Sequence, residues 1–241
     1  MANPLQQFEV KTLIPIHMGG VDASFTNASM FMMFAVAGVA TFLMLSMRGR
    51  ALVPTRWQSL AELSYEFIAG MVRDNVGNEG RKYFPFVFSL FMFILFANLI
   101  GLLPYSFTFT SHIIVTFAMA ITVFLGVTVI GIVRHKLHFL SFFMPAGVPA
   151  VMAPILIPIE IVSYLSRPVS LSIRLFANMM AGHTMMKVFA GFVIPLGILG
   201  GWAPLAVDVA LTGFEFLVAF LQAYVFTILT CLYLNDAIHL H

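Results

Sequence analysis

The sequence predicts an all-α polytopic membrane protein with vertical spans, a surface amphipathic helix and a C-terminal pair of long, tilted intramembrane helices. Composition is the first support: of 241 residues, 61% are hydrophobic and only 9% charged, against roughly a quarter charged in a soluble domain. So much apolar side chain needs lipid as its solvent. The second is the recurrence of charge-free stretches that reach the roughly 20 residues a span requires. The third is a set of ionisable residues inside the apolar sequence after Ile159, where each costs several kcal/mol unless it faces water or a partner.

The elements follow in order. Residues 28–47 carry no charge and stop at Arg48 and Arg50. Upstream there is neither a basic region before an apolar core nor a small-residue cleavage site, so this span reads as retained. Tyr83 to Val133 holds no Asp, Glu, Lys or Arg, too long for one crossing. With a reversal at Pro104 to Ser111 it divides into spans at 84–103 and 112–133. Between the first two spans, residues 55–75 place Trp57, Leu60, Leu63, Phe67, Ile68 and Met71 at helical spacing, with Arg56, Glu62, Glu66, Arg73 and Asp74 elsewhere. That pattern is an amphipathic helix on the membrane surface. Arg48, Arg50, Arg56, Arg73, Arg81 and Lys82 crowd one loop, the next has no Lys or Arg, and the third has Arg134 and Lys136. The basic loops are therefore inside and the N-terminus outside.

After Leu137 the pattern changes. Pro145, Pro149, Pro154 and Pro158 interrupt the apolar run, and Pro195, Gly197, Gly200, Gly201 and Pro204 mark a turn. A helical hairpin with arms at 155–194 and 205–234 results, all within one integral membrane domain, 1–241. About 40 helical residues extend some 60 Å, twice the hydrocarbon thickness, so the first arm is expected to be strongly tilted or broken. No internal repeat or low-complexity segment is found.

In the first arm Glu160, Arg167, Arg174 and Ala181 recur at steps of seven, beside a stripe of Ser163, Ser170 and Ala177. One face is thus polar, small and charged, although Pro168 loosens the phase between Glu160 and Arg174. His183 falls half a turn from Arg174 and needs another partner. Asp208, Glu215 and Gln222 repeat the same step on the second arm, a stripe of about 20 Å, so a His–carboxylate pair across the arms would make a proton relay. Blander readings stand beside these. Arg167 and Lys187 read equally as snorkelling cations, and Asp208 as an interfacial or helix N-terminal charge. His135 and His138 read as solvated, His112 as interfacial, His239 and His241 as a tail. For Arg174, Glu160, Glu215 and His183 the structural alternative is a buried ion pair.

Other classes find less support. A net charge of +2 is too small to imply a nucleic-acid partner. Cys231, the sole cysteine, excludes an intrachain disulfide framework, a CxxC redox pair and a cysteine zinc site. There is no HExxH helix or GxSxG elbow for a protease, and His112 and His183 make a weak haem pair. The 16 Met and 26 Phe imply no cofactor, and no metal site is expected. An independent transporter or channel is the principal alternative, though it would call for repeats or paired half-helices.

The stretch from Pro158 to His183, with Ser170-Leu-Ser-Ile-Arg-Leu-Phe-Ala-Asn178 at its centre, resembles subunit a of the rotary F-type ATP synthase. Glu215, Leu221-Gln-Ala-Tyr-Val-Phe226 and Asn98-Leu-Ile-Gly-Leu-Leu-Pro104 fit the same family in order. The resemblance covers essentially the whole chain. It implies a non-catalytic stator subunit that works with a ring of c subunits, b-type peripheral-stalk subunits and the bilayer, carries H⁺ and needs no cofactor. It implies that Arg174 faces the ring carboxylates, and that Asn178, His183, Glu215 and Gln222 lie along the outer half-channel. Glu160 would line the exit, with Ser163 and Ser170 as further polar lining. Many bacterial relatives carry an acid where His183 stands and a histidine where Glu215 stands, so the pair is exchanged here. The expected location is the bacterial plasma (inner) membrane with the C-terminus cytoplasmic, the mitochondrial inner membrane being the alternative.

Overall fold

A computed structural model describes residues 8–15, 17–18, 21–22, 24–49, 53–103, 106–136, 139 and 152–239. Four short strands come first: β1 (Thr12–Ile14), β2 (His17–Met18), β3 (Val21–Asp22) and β4 (Phe25–Thr26). β1 pairs antiparallel with β4, and β2 with β3. An all-α reading does not anticipate them, because segments of two or three residues are too short to show a period. They fold the N-terminal segment back so that Asn27 holds it by three bonds. Its amide donates to the Lys11 carbonyl at 3.0 Å, its Oδ1 accepts from the Lys11 amide at 3.1 Å, and its Nδ2 donates to the Glu9 carbonyl at 3.1 Å.

After Thr26 the described residues are built on helices: α1 (Asn27–Met47), α2 (Arg56–Val76), α3 (Phe84–Gly101), α4 (Ile113–His135), α5 (Ala153–Val193), α6 (Gly197–Gly200) and α7 (Trp202–Ile238). Local chemistry sets their ends. The Thr26 and Thr55 hydroxyls accept from the amides of Ser29 and Gln58, capping α1 and α2. α2 stops at Gly77, whose φ of 78° suits glycine, and a 3₁₀ turn, Asn78–Tyr83, leads to Pro85 in the first turn of α3. The reversal between α3 and α4 contains a second 3₁₀ turn, Phe109–Ser111; positions 104 and 105 of that expected reversal lie outside the described residues. So do His138, Pro145, Pro149 and His241.

Among the described residues, five helices are long and apolar enough to cross a membrane: those beginning at Asn27, Asn78, Ile113, Pro154 and Trp202. Of the two alternatives for the first arm, strongly tilted or broken, the break does not occur, since α5 is helical over 41 residues despite Pro158 and Pro168 inside it. A proline frees one carbonyl of the preceding turn, and here that loss does not end the helix.

α7 is the hub, in contact with α2, α3, α4 and α5. Its Ala223, Phe226, Cys231 and Leu234 meet Ile68 and Val72 of α2, Val87 and Phe91 of α3, Val123 of α4, and Leu171 and Leu175 of α5 in one buried cluster. On α2, Ile68 and Met71 are buried whereas Trp57, Leu60, Leu63 and Phe67 are exposed. The outward sides of α4, α5 and α7 carry exposed Ile114, Val133, Ile155, Val162 and Trp202. A soluble domain would cover these; a membrane protein leaves them to lipid.

Candidate functional site

The polar side chains of α5 and α7 form two groups, one buried between the helices and one facing out from α5. At the centre of the first, His183 Nδ1 lies 2.5 Å from Glu215 Oε1, both side chains being buried. The other ring nitrogen, Nε2, lies 2.9 Å from the Gly101 carbonyl and 2.8 Å from Thr108 Oγ1. A carbonyl only accepts, so Nε2 carries a hydrogen. Thr108 donates its own hydrogen to the same carbonyl at 3.1 Å, which turns its lone pairs toward the ring. With Nε2 fixed as donor, one proton lies between Nδ1 and Oε1. It belongs either to an imidazolium facing a carboxylate or to a carboxylic acid facing a neutral ring. The pair thus exchanges a proton without moving a heavy atom.

Space for this contact comes from Gly182, since a Cβ there would sit 2.5 Å from Glu215 Oε1. Glu215 Oε2 is buried and has no hydrogen-bond partner among the described residues, which leaves it able to pass a proton onward. Further along α7, Gln222 Oε1 accepts from Asn178 Nδ2 of α5 at 2.8 Å, while its Nε2 is buried without a partner among the described residues. Between Glu215 and Gln222, the Ala219 carbonyl accepts from Asn98 of α3 at 3.3 Å. The result is a polar line from His183 through Glu215 and Gln222 to Asn178, one helical turn from Arg174. At its other end a cavity of about 810 Å³ reaches His183, with Lys187, Asp208 and Thr212 in its wall and Glu9 and Lys11 across from them.

The second group is arranged differently. Arg174, Ser163, Ser170, Ala177 and Ala181 are all exposed, and Arg174 has no ion pair or hydrogen bond among the described residues. Glu160 is half-buried and lies fourteen residues before Arg174, about 21 Å along the axis. The structure brings four of the expected residues together, His183, Glu215, Asn178 and Gln222. It leaves Glu160, Ser163 and Ser170 on α5 without hydrogen bonds or ion pairs to α7 among the described residues, and Arg174 with only a charge interaction with Tyr233 there.

Two readings are corrected. Arg167 does not snorkel: its Nη1 donates to Asp236 Oδ2 of α7 at 2.8 Å, and its guanidinium lies 5.4 and 4.9 Å from the Tyr164 and Tyr233 ring centres. A carboxylate and two aromatic faces at the same level outcompete the headgroup region. His135 is half-buried, not solvated, with Nε2 3.1 Å from the Ile238 carbonyl, because the last carbonyls of α7 need donors. Sequence reasoning missed Gly101, Thr108 and Gly182. A backbone carbonyl and a loop threonine carry no periodic signal. Gly182, directly before His183, is legible only as a glycine inside a helix, which marks a close approach.

This fold and site define a class, a polytopic helical membrane protein with a buried His–Glu pair in its helix seam and an outward arginine without an ion pair among the described residues. A family model described as ATP synthase A chain matches residues 29–235. Over the full length of both chains, this one is 60% identical to ATP synthase subunit a of Paramagnetospirillum magneticum and 56% identical to that of Rhodospirillum rubrum. It is 59% identical to ATP synthase subunit a of Pelagibacter ubique over 99% of this chain and 98% of the relative. The chain belongs to the subunit a family of the F-type ATP synthase, and is a membrane subunit of that complex.

Proposed function

We propose that this chain is the stator that turns proton flow into rotation, through two offset half-channels meeting at Arg174. The observation that carries the reading is the polar line from the cavity at His183 to Asn178, which ends one turn from an exposed, unpaired guanidinium. A proton from the outer side reaches the cavity and passes through the His183–Glu215 pair. It then moves along Gln222 and Asn178 to a carboxylate of the c-subunit ring. After nearly a full revolution through lipid that carboxylate meets Arg174, which favours its ionised form and never gives up its own proton. The released proton leaves past Glu160, with Ser163 and Ser170 as polar lining. Arg174 also blocks a direct path between the half-channels, so no proton crosses without turning the ring.

The energetics suit this division of labour. The membrane potential supplies about 2.3 kcal/mol per charge per 100 mV, comparable to the cost of one buried charge. A preorganised cation keeps the local barrier within that range. The chain itself forms and breaks no covalent bond. It acts as one integral membrane unit, held against the ring by b-type peripheral-stalk subunits in a bacterial plasma membrane. Its N-terminus is outside and its C-terminus cytoplasmic, and α2 lies along the cytoplasmic surface with Trp57, Leu60 and Leu63 toward lipid. H⁺ is the coupling ion, because the groups at the head of the route, His183 and Glu215, are ones that exchange protons.

The test is ATP-driven acidification of inverted vesicles carrying the whole complex. His183→Ala and Glu215→Gln are expected to abolish pumping at normal assembly and ATP hydrolysis. Pumping at the native rate in both variants would refute the route.

A further inference from the structure

We propose that Asp208 is the proton-collecting carboxylate of the outer cavity, the group that takes protons from external water and hands them to the His183–Glu215 pair. The proposal rests on the half-channel reading above, and gives a role to an intramembrane acid which that reading leaves unused. Three observations carry it. Asp208 stands in the wall of the 810 Å³ cavity that reaches His183. One of its oxygens, Oδ1, is buried and has no hydrogen-bond partner among the described residues. The nearby Thr212 hydroxyl donates to the Asp208 backbone carbonyl at 2.9 Å instead, so that hydroxyl does not satisfy the side chain. Lastly, Asp208 precedes Glu215 by seven residues on α7, on the same stripe and about 10.5 Å away along the axis.

An interfacial anchor would turn its carboxylate toward headgroups. This one lines a cavity with one oxygen sealed from bulk solvent, where an unneutralised acid persists only through contact with water. The charged and titratable groups facing it are His183 and Lys187 on α5, Glu9 and Lys11 from the N-terminal segment, and Glu215 on its own helix. Neither lysine forms an ion pair with it among the described residues. The Asp208 carboxylate is therefore left to exchange protons with the water of the cavity. A carboxylate in a low-dielectric funnel concentrates cations locally and releases each proton to a neighbouring acceptor, and His183 shares the same wall.

Proton supply limits turnover when external protons are scarce, so the role is read from pH dependence. The experiment uses proteoliposomes with the complete ATP synthase, cavity side inward. ATP synthesis is driven at constant total driving force while the internal pH is set between about 6 and about 8, a range across which proton scarcity should tell. Asp208→Asn is expected to lose on the order of tenfold in rate at the alkaline end and little at the acid end. Asp208→Glu is expected to restore the native profile, with ATP hydrolysis reporting equal assembly. An unchanged rate at every pH overturns the proposal, as does an equal loss at every pH, the mark of a purely structural role. Recovery in Asp208→Asn/Lys187→Gln would also overturn it, because the carboxylate would then act only by cancelling a lysine. His183→Ala in the same preparation separates the two claims: if it synthesises ATP normally the half-channel reading fails, whereas if it is inactive and Asp208→Asn is native only the Asp208 proposal fails.

Discussion

Gly182 and Glu215 show how little room the relay has. The carboxylate oxygen that meets His183 occupies the volume a side chain at position 182 would need, so Gly182→Ala must push Glu215 or α7 aside. Misplacing a reacting group by about 1 Å costs up to about a hundredfold in rate. ATP-driven pumping in Gly182→Ala is expected to fall by that order, and Gly182→Ala/Glu215→Asp, which withdraws a methylene, to recover part of it. Native pumping in the single variant would show that the contact is loose. At this scale the sequence was unevenly legible. His183 and Glu215 announce themselves because ionisable groups inside apolar sequence are costly, and His183, half a turn out of phase with Arg174, needs a partner that the Asp208, Glu215 and Gln222 stripe of the second arm offers. Thr108 and the Gly101 carbonyl fix the tautomer of His183, yet nothing local distinguishes them from any other loop hydroxyl or backbone group.

Helices α5 and α7 hold the relay in register at one end and the Arg167–Asp236 pair at the other. The ion pair is partly exposed, with side chains 23% and 36% accessible. It therefore falls between a surface pair worth under 1 kcal/mol and a buried one whose breaking costs 3–5 kcal/mol. Asp236→Asn is expected to destabilise the assembled protein by about 1–2 kcal/mol, seen as a lower midpoint in thermal unfolding of the detergent-solubilised complex. Arg167→Asp/Asp236→Arg should recover part of it; an unshifted midpoint in Asp236→Asn would mean that the tyrosine faces alone hold Arg167. Helix existence was readable from apolar runs and their boundaries, as with α2 between Thr55 and Gly77 and the reversal inside the uncharged stretch from Tyr83 to Val133. The Arg167–Asp236 contact was not, since 69 positions separate the partners and either charge alone reads equally well as a snorkelling end group. Length left the first arm open to being tilted or broken, and α5 runs on through Pro158 and Pro168 as it packs against α4 and α7.

Across the whole molecule, the proposed function divides between two faces of α5, the buried seam and the exposed arginine. Toward α7, His183 pairs with Glu215 and Asn178 with Gln222, the two pairs that the proposed proton route connects. On the outward side, Arg174 stands among Ser170, Ala177 and Ala181, small residues that let another helix approach closely. A cation left unpaired in a span is costly, and its persistence is explained if its partner, the ring carboxylate, arrives from another subunit and departs again. The central claim is that Arg174 forces protons to travel by way of the rotor. Its most direct test is Arg174→Ala in inverted vesicles, with acidification, ATP hydrolysis and passive proton leak recorded on the same sample at equal assembly. The account predicts hydrolysis retained, pumping lost and a leak through the joined half-channels. Undiminished pumping with no leak would contradict it.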